Sequence, residues 1–150
     1  MTVSAYQSLL RRSDLAGVYH LPHGDRDKAS AAGEANGYCV FPVDLRRVRD
    51  KEELLDTLAK ALAFPEWFGH NYDALYDCLC DMGWRPAEGY LILLGHCDGI
   101  HGRAEQDFIT LLDIFTRAAE EWRQQGITFW CLVDMQADGI AWLPIVTDGQ

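Results

Sequence analysis

Three apolar runs of strand length, separated by segments of helical period, predict an α/β protein built on a three-stranded parallel sheet packed by helices. The runs lie at 38–43, 90–94 and 127–133, the last rich in β-branched and aromatic residues. Helices between successive strands allow parallel pairing through right-handed crossovers. None of the runs approaches the roughly 20 apolar residues that span a bilayer.

The elements follow in order. Residues 1–36 are expected to form an N-terminal extension, with a short helix over 5–11, a strand over 17–20 and a polar loop over 22–36. After the first core strand, Asp50 and Glu53 have the spacing of a capping box. Leu54, Leu55, Leu58 and Leu62 then repeat at helical spacing until Phe64 and Pro65 end the helix. Asn71 is placed to cap a second helix that runs to about Met82, ahead of Gly83. Residues 95–102 read as a polar connection after the second strand. Phe108, Leu111, Leu112, Phe115, Ala118, Ala119 and Trp122 mark a long amphipathic helix that ends before Gly126. Beyond the third strand, one more strand is expected over 140–146, confined to an edge by Pro144. The expected division is therefore an extension at 1–36, a core domain at 37–134 and an extension at 135–150 packed on the same domain.

A chain of 150 residues with 49% hydrophobic residues needs no disulfide to hold a core. The five cysteines are odd in number, scattered and mostly in apolar surroundings, the pattern of free thiols. The first residues lack a basic start followed by an apolar run, so no secretory signal is read and a cytoplasmic location is expected. A net charge of -10 argues against general binding to nucleic-acid backbones and favours cationic partners.

Asp73, Asp77 and Asp81 recur every fourth residue in the second helix. At about 100° per residue, Asp77 lies about 40° and Asp81 about 80° round from Asp73, so the acids share a face. Leu75, Cys78, Leu79 and Met82 gather on the other side. No Lys or Arg occurs between Lys60 and Arg85, and like charges at this spacing cost a helix a few tenths of a kcal/mol per pair. The helix dipole favours only Asp73, in the first turn. Trp67, Tyr76 and Trp84 border the acids, and aromatics of this kind are enriched at interfaces. Acids ringed by aromatics read as a docking surface.

Residues 62–79, Leu-Ala-Phe-Pro-Glu-Trp-Phe-Gly-His-Asn-Tyr-Asp-Ala-Leu-Tyr-Asp-Cys-Leu, closely resemble the signature of the barstar family of ribonuclease inhibitors. The resemblance keeps Pro-Glu-aromatic-aromatic-Gly, the following Asn and the Asp-Ala-Leu-aromatic-Asp-Cys-Leu run without a gap. It extends through the strand and helix order from about Tyr38 to Val133. It implies an immunity protein that binds a cationic ribonuclease or nuclease toxin one to one inside the producing cell and covers its active site. By the same resemblance, Asp77 takes the place of a substrate phosphate and Asp73 engages basic residues beside it. Trp67 matches an aromatic contact, Asn71 lies on the binding segment, Tyr76 replaces a Trp, and Trp84 corresponds to a Trp after the helix. Asp81 extends the acidic face. Carboxylates on a rigid helix suit this role, because a pocket that holds a phosphodiester is cationic. The sequence departs from the best-known member in three ways. Arg117 stands where that protein has a contacting Glu, His70 replaces an acid near the loop, and the two terminal extensions can add edge strands.

Other constellations carry less. His96, Cys97, Asp98 and His101, with His20 and His23, are ligand types, but no recognised metal spacing joins them, and loop polarity accounts for them better. Neither a metal nor a cofactor is expected. Asp73 and Asp77 as a catalytic carboxylate pair would need environments that separate their pKa values, which one exposed helix face does not offer. No phosphate loop or nucleophile elbow is present, so no catalytic residue is assigned. The alternatives that remain are an adaptor using the same acidic surface without blocking a partner's site and, behind it, a metal-dependent enzyme.

Overall fold

In the computed structural model, which describes residues 1–22, 24–135 and 143–146, the chain runs α1 (Val3–Leu10), β1 (Val18–His20), α2 (Arg26–Ala35), β2 (Cys39–Asp44), α3 (Lys51–Ala61), α4 (Tyr72–Asp81), β3 (Gly89–Gly95), α5 (Asp98–Arg103), α6 (Glu105–Gln124) and β4 (Thr128–Val133). The strands form one sheet in the order β1-β4-β3-β2, and every pairing is parallel. Strands β3 and β4 are buried along their whole length, as befits parallel strands covered on both faces. Pro42 is exposed on the outer strand β2, where its missing N–H leaves no interior ladder bond unmade.

The sheet has four strands rather than the expected three. The fourth is β1, whose Val18 and His20 pair with Cys131 and Val133 of β4. β1 lies within the short strand expected over 17–20 in the N-terminal extension, outside the three core runs on which the three-strand expectation rests, and it has only 3 residues. Ile145 forms an isolated parallel bridge to His20. The rest of the strand expected over 140–146 includes residues 140–142, which, like His23, lie outside the described residues.

The chain steps across the sheet in one direction from β2 to β3 to β4, and in the other from β1 to β2. Right-handed crossovers then place α3 to α6 on one face and α2 on the other. Side chains of successive strand residues alternate accordingly. Ile92, Leu94, Phe129 and Cys131 join Leu58, Leu79, Phe115 and Trp122 in one core cluster. Leu91, Leu93, Trp130 and Leu132 join Tyr6, Leu10, Ala29 and Ala32 in the other.

Helix α2 occupies most of the segment expected to be a loop. Its buried face is Ala29, Ala32 and Gly33, small residues that give no stripe of large apolar side chains. A Cβ on Gly33 would fall 2.8 Å from Leu91 Cδ2 and 2.9 Å from Val40 Cγ2, so glycine lets this helix lie close on the sheet. Helix α5 likewise falls where a polar connection was expected, anchored by the buried Ile100. The capping box of α3 is only half formed. Asp50 accepts from the Glu53 N–H at 2.9 Å, whereas the Glu53 carboxylate accepts from the backbone N–H and guanidinium of Arg49. Among the described residues no helix is long and apolar enough to cross a membrane.

Candidate functional site

The segment from the end of α3 to the end of α4 is shaped by three non-glycine residues in the left-handed region: Ala63 (φ 55), His70 (φ 52) and Met82 (φ 49). Ala63 closes α3 in a Schellman motif, with Phe64 N–H donating to Ala59 C=O and Ala63 N–H to Lys60 C=O. His70 turns the chain into α4, and Met82 ends that helix while its N–H donates to Cys78 C=O at 3.2 Å. A left-handed L-residue costs roughly 1–2 kcal/mol, and such residues gather where surrounding structure fixes an unusual path. Here they bracket the aromatic loop and the acidic helix.

Asn71 begins α4 with an extended backbone, its side-chain oxygen accepting from Ala74 N–H at 2.8 Å and its amide donating to Gly69 C=O at 3.2 Å. Both ends of the side chain are thus engaged, and Asn71 serves by setting where the helix starts. Leu75, Cys78 and Leu79 are buried while Asp73, Asp77 and Asp81 are exposed, as the 3.6-residue period requires. Helix α6 holds α4 in place. Trp122 Nε1 donates to Leu79 C=O at 2.7 Å, and the Tyr72 hydroxyl donates to Asp107 Oδ1 at 2.7 Å.

None of the three acids forms an ion pair among the described residues. Cations of neighbouring elements are turned to other partners. Lys51 Nζ lies 4.4 Å from the Tyr72 ring, and Arg117 pairs with Asp113 at 3.2 Å while its guanidinium covers the Tyr76 ring at 4.9 Å. The uncompensated charge is felt inside the helix. Burial pushes the Cys78 thiol up to about 11, and the carboxylates of Asp77 and Asp81 add to that rise.

Trp67 is 60% exposed at the loop tip. It meets Trp84 edge-on, and Trp84 in turn meets Phe64, while its Nε1 donates to Leu62 C=O at 3.3 Å. Trp84 therefore fastens the loop to the end of α4, and its half-buried ring leaves only part of it for a partner. Tyr76 is half-buried beneath Arg117. His70 is engaged by α3 and the loop, with Nε2 3.4 Å from Asp56 Oδ1 and its ring 4.9 Å from that of Phe68.

The residues expected at the site thus fall into two groups. Asp73, Asp77, Asp81 and Trp67 present themselves outward, whereas Asn71, Tyr76 and Trp84 are tied into the scaffold that presents them. The sequence alone does not mark Tyr72, Asp107 and Trp122 as supports of the site, because their contacts join segments 35 and 43 residues apart and leave no local pattern. Among the described residues no three of His, Cys, Asp and Glu are grouped so as to hold a metal ion; His96 accepts from Arg46, and His101 packs on Phe108.

A family model described as Barstar (barnase inhibitor) matches residues 38–134, well over half of the chain.

Proposed function

The chain belongs to the barstar family, and from that premise we propose that it binds a cationic ribonuclease or nuclease toxin domain one to one, occluding the active site with α4 and the Trp67 loop. It acts by binding, without turnover, in the reducing cytoplasm of the producing cell, in keeping with five free thiols. Residues 37–134 form the inhibitory domain in this reading, with 1–36 and 135–150 as extensions of it. The observation that carries the proposal is the exposed row of Asp73, Asp77 and Asp81, unpaired among the described residues and backed by a rigid α4–α6 contact. Three carboxylates in a row on one helix, next to an exposed indole, suit a cationic pocket made for a phosphodiester.

The test is RNA cleavage by a candidate nuclease titrated with this protein. Activity that disappears at equimolar protein supports occlusion. Full cleavage by a nuclease shown to be bound replaces inhibition by the adaptor reading.

A further inference from the structure

On the surface formed where β2 and β3 end, four arginines in an acidic chain line one open depression of about 530 Å³: Arg46, Arg47, Arg49 and Arg103, with Glu53 as its carboxylate. We propose that this depression is a second binding site, for a compact, multiply charged phosphate anion of the pyrophosphate or nucleotide-phosphate type. It lies apart from the acidic face of α4 and does not depend on the inhibitor reading.

Gathering like charges is unfavourable unless something offsets it, and the carboxylates nearby offset only part of it. Asp44 Oδ1 accepts from the Arg46 backbone N–H at 2.9 Å, and Asp50 Oδ1 accepts from the Glu53 N–H at 2.9 Å. Glu53 pairs with Arg49. Arg46 Nη2 lies 2.7 Å from the Nε2 of His96 and not on a carboxylate, and Arg47 has no hydrogen bond or ion pair among the described residues. The lining is left with an excess of positive charge.

The depression is also prepared in shape. Arg103 Nη2 donates to Val48 C=O at 2.8 Å, and its guanidinium lies so close over Gly99 that a Cβ there would be 2.8 Å from Nη2. This fixes one guanidinium at the rim, and the exposed Arg47, without a hydrogen bond or ion pair among the described residues, supplies a second fork beside Arg46, held by His96, and Arg49, held by Glu53. Arginine forks match phosphate oxygens bidentately, which a carboxylate-poor cluster of them favours. A compact anion suits the site better than a nucleic-acid strand. The net charge of -10 repels an extended polyanion, whereas screening over roughly 8–10 Å lets a local cluster hold a small one.

Calorimetric titration of the full chain with sodium pyrophosphate at constant ionic strength tests this. Saturable one-site binding is expected, weakened about tenfold or more in Arg47→Ala/Arg49→Ala and retained in Arg12→Ala, whose guanidinium pairs with Asp14 elsewhere. Gly99→Ala should weaken it as well, by displacing Arg103. A nucleoside triphosphate binding like pyrophosphate supports a site that reads the phosphate chain. Absence of saturable binding, equal affinity in the double variant, or binding of a short RNA when neither small anion binds would overturn the proposal.

Discussion

Trp67 and Trp84 stand edge to face, with ring centroids 6.3 Å apart and planes at 85°. The pair joins the most exposed aromatic of the loop to a residue anchored on the scaffold, so the two indoles should separate in mutational behaviour. Trp84→Ala removes the Phe64 contact and the hydrogen bond to Leu62, and should destabilise by about 2–3 kcal/mol, less than a fully buried Trp. Trp67→Ala should change stability by less than about 1 kcal/mol while weakening partner binding by about 2 kcal/mol, as an exposed interface anchor does. Urea unfolding and calorimetry of both variants measure the two effects. Equal losses of stability would make Trp67 a packing residue.

Arg117 places a positive charge beside Tyr76 on the helix that carries the acids. Against a cationic partner, Arg117→Glu should raise the association rate several-fold at low salt, since it reverses a charge next to a steering surface. The gain should fade toward 1 M salt, where the Debye length is about 3 Å. The wild-type association rate should fall over the same range while dissociation changes less. Stopped-flow measurements against ionic strength decide this. A slower Arg117→Glu complex would mean that the partner offers an acid to Arg117, and that this arm of the interface has changed sign.

Much of this arrangement was legible along the chain, and the parts that were not share a cause. Leu54, Leu58, Leu75, Leu79, Phe108 and Trp122 advertise their helices because large apolar side chains repeat at helical spacing. Helix α2 does not, because it approaches the sheet through Ala29, Ala32 and Gly33. The acids of α4 were legible as a row, since their spacing is local. The engagement of Tyr76 with Arg117, and of His70 with Asp56, depends on which elements become neighbours, and short-range spacing does not encode that.

Asp25 links the N-terminal segment together, accepting from the Tyr6 hydroxyl at 2.6 Å and lying 3.6 Å from Lys28 and 3.5 Å from the Met1 amine. The Tyr6 hydrogen bond is the main cause that holds the Asp25 carboxyl below its usual range; burial opposes it, and the Met1 amine and Lys28 assist. A depressed carboxyl pKa contributes stability that is present above the unfolded value and is lost as pH falls through the folded one. Tyr6→Phe should therefore cost about 1.5–3 kcal/mol near neutrality, the range for a hydrogen bond to a charged group. That cost should shrink below about pH 4, near the ordinary value of an aspartate. Denaturation of wild type and variant across this window tests it. A pH-independent difference would assign the loss to packing of the Tyr6 ring.

Asp77 sits midway along the acidic row, with its side chain exposed and no ion pair among the described residues. Asp77→Ala should cost about 2–5 kcal/mol of partner binding, because truncation leaves cationic groups of the proposed partner buried and unpaired. That scale is the one found for charge pairs in the best-known complex of this same family. Stability should fall little or rise by a few tenths of a kcal/mol, since the substitution relieves repulsion with Asp73 and Asp81, each four residues away. The Cys78 thiol should become easier to deprotonate, because one of the two charges that raise its pKa is gone. Binding by calorimetry, unfolding by urea and thiol titration followed in the ultraviolet read these three consequences separately. Unchanged affinity together with lowered stability would show that the row serves the helix and not a partner, and the docking surface would have to be sought elsewhere on the molecule.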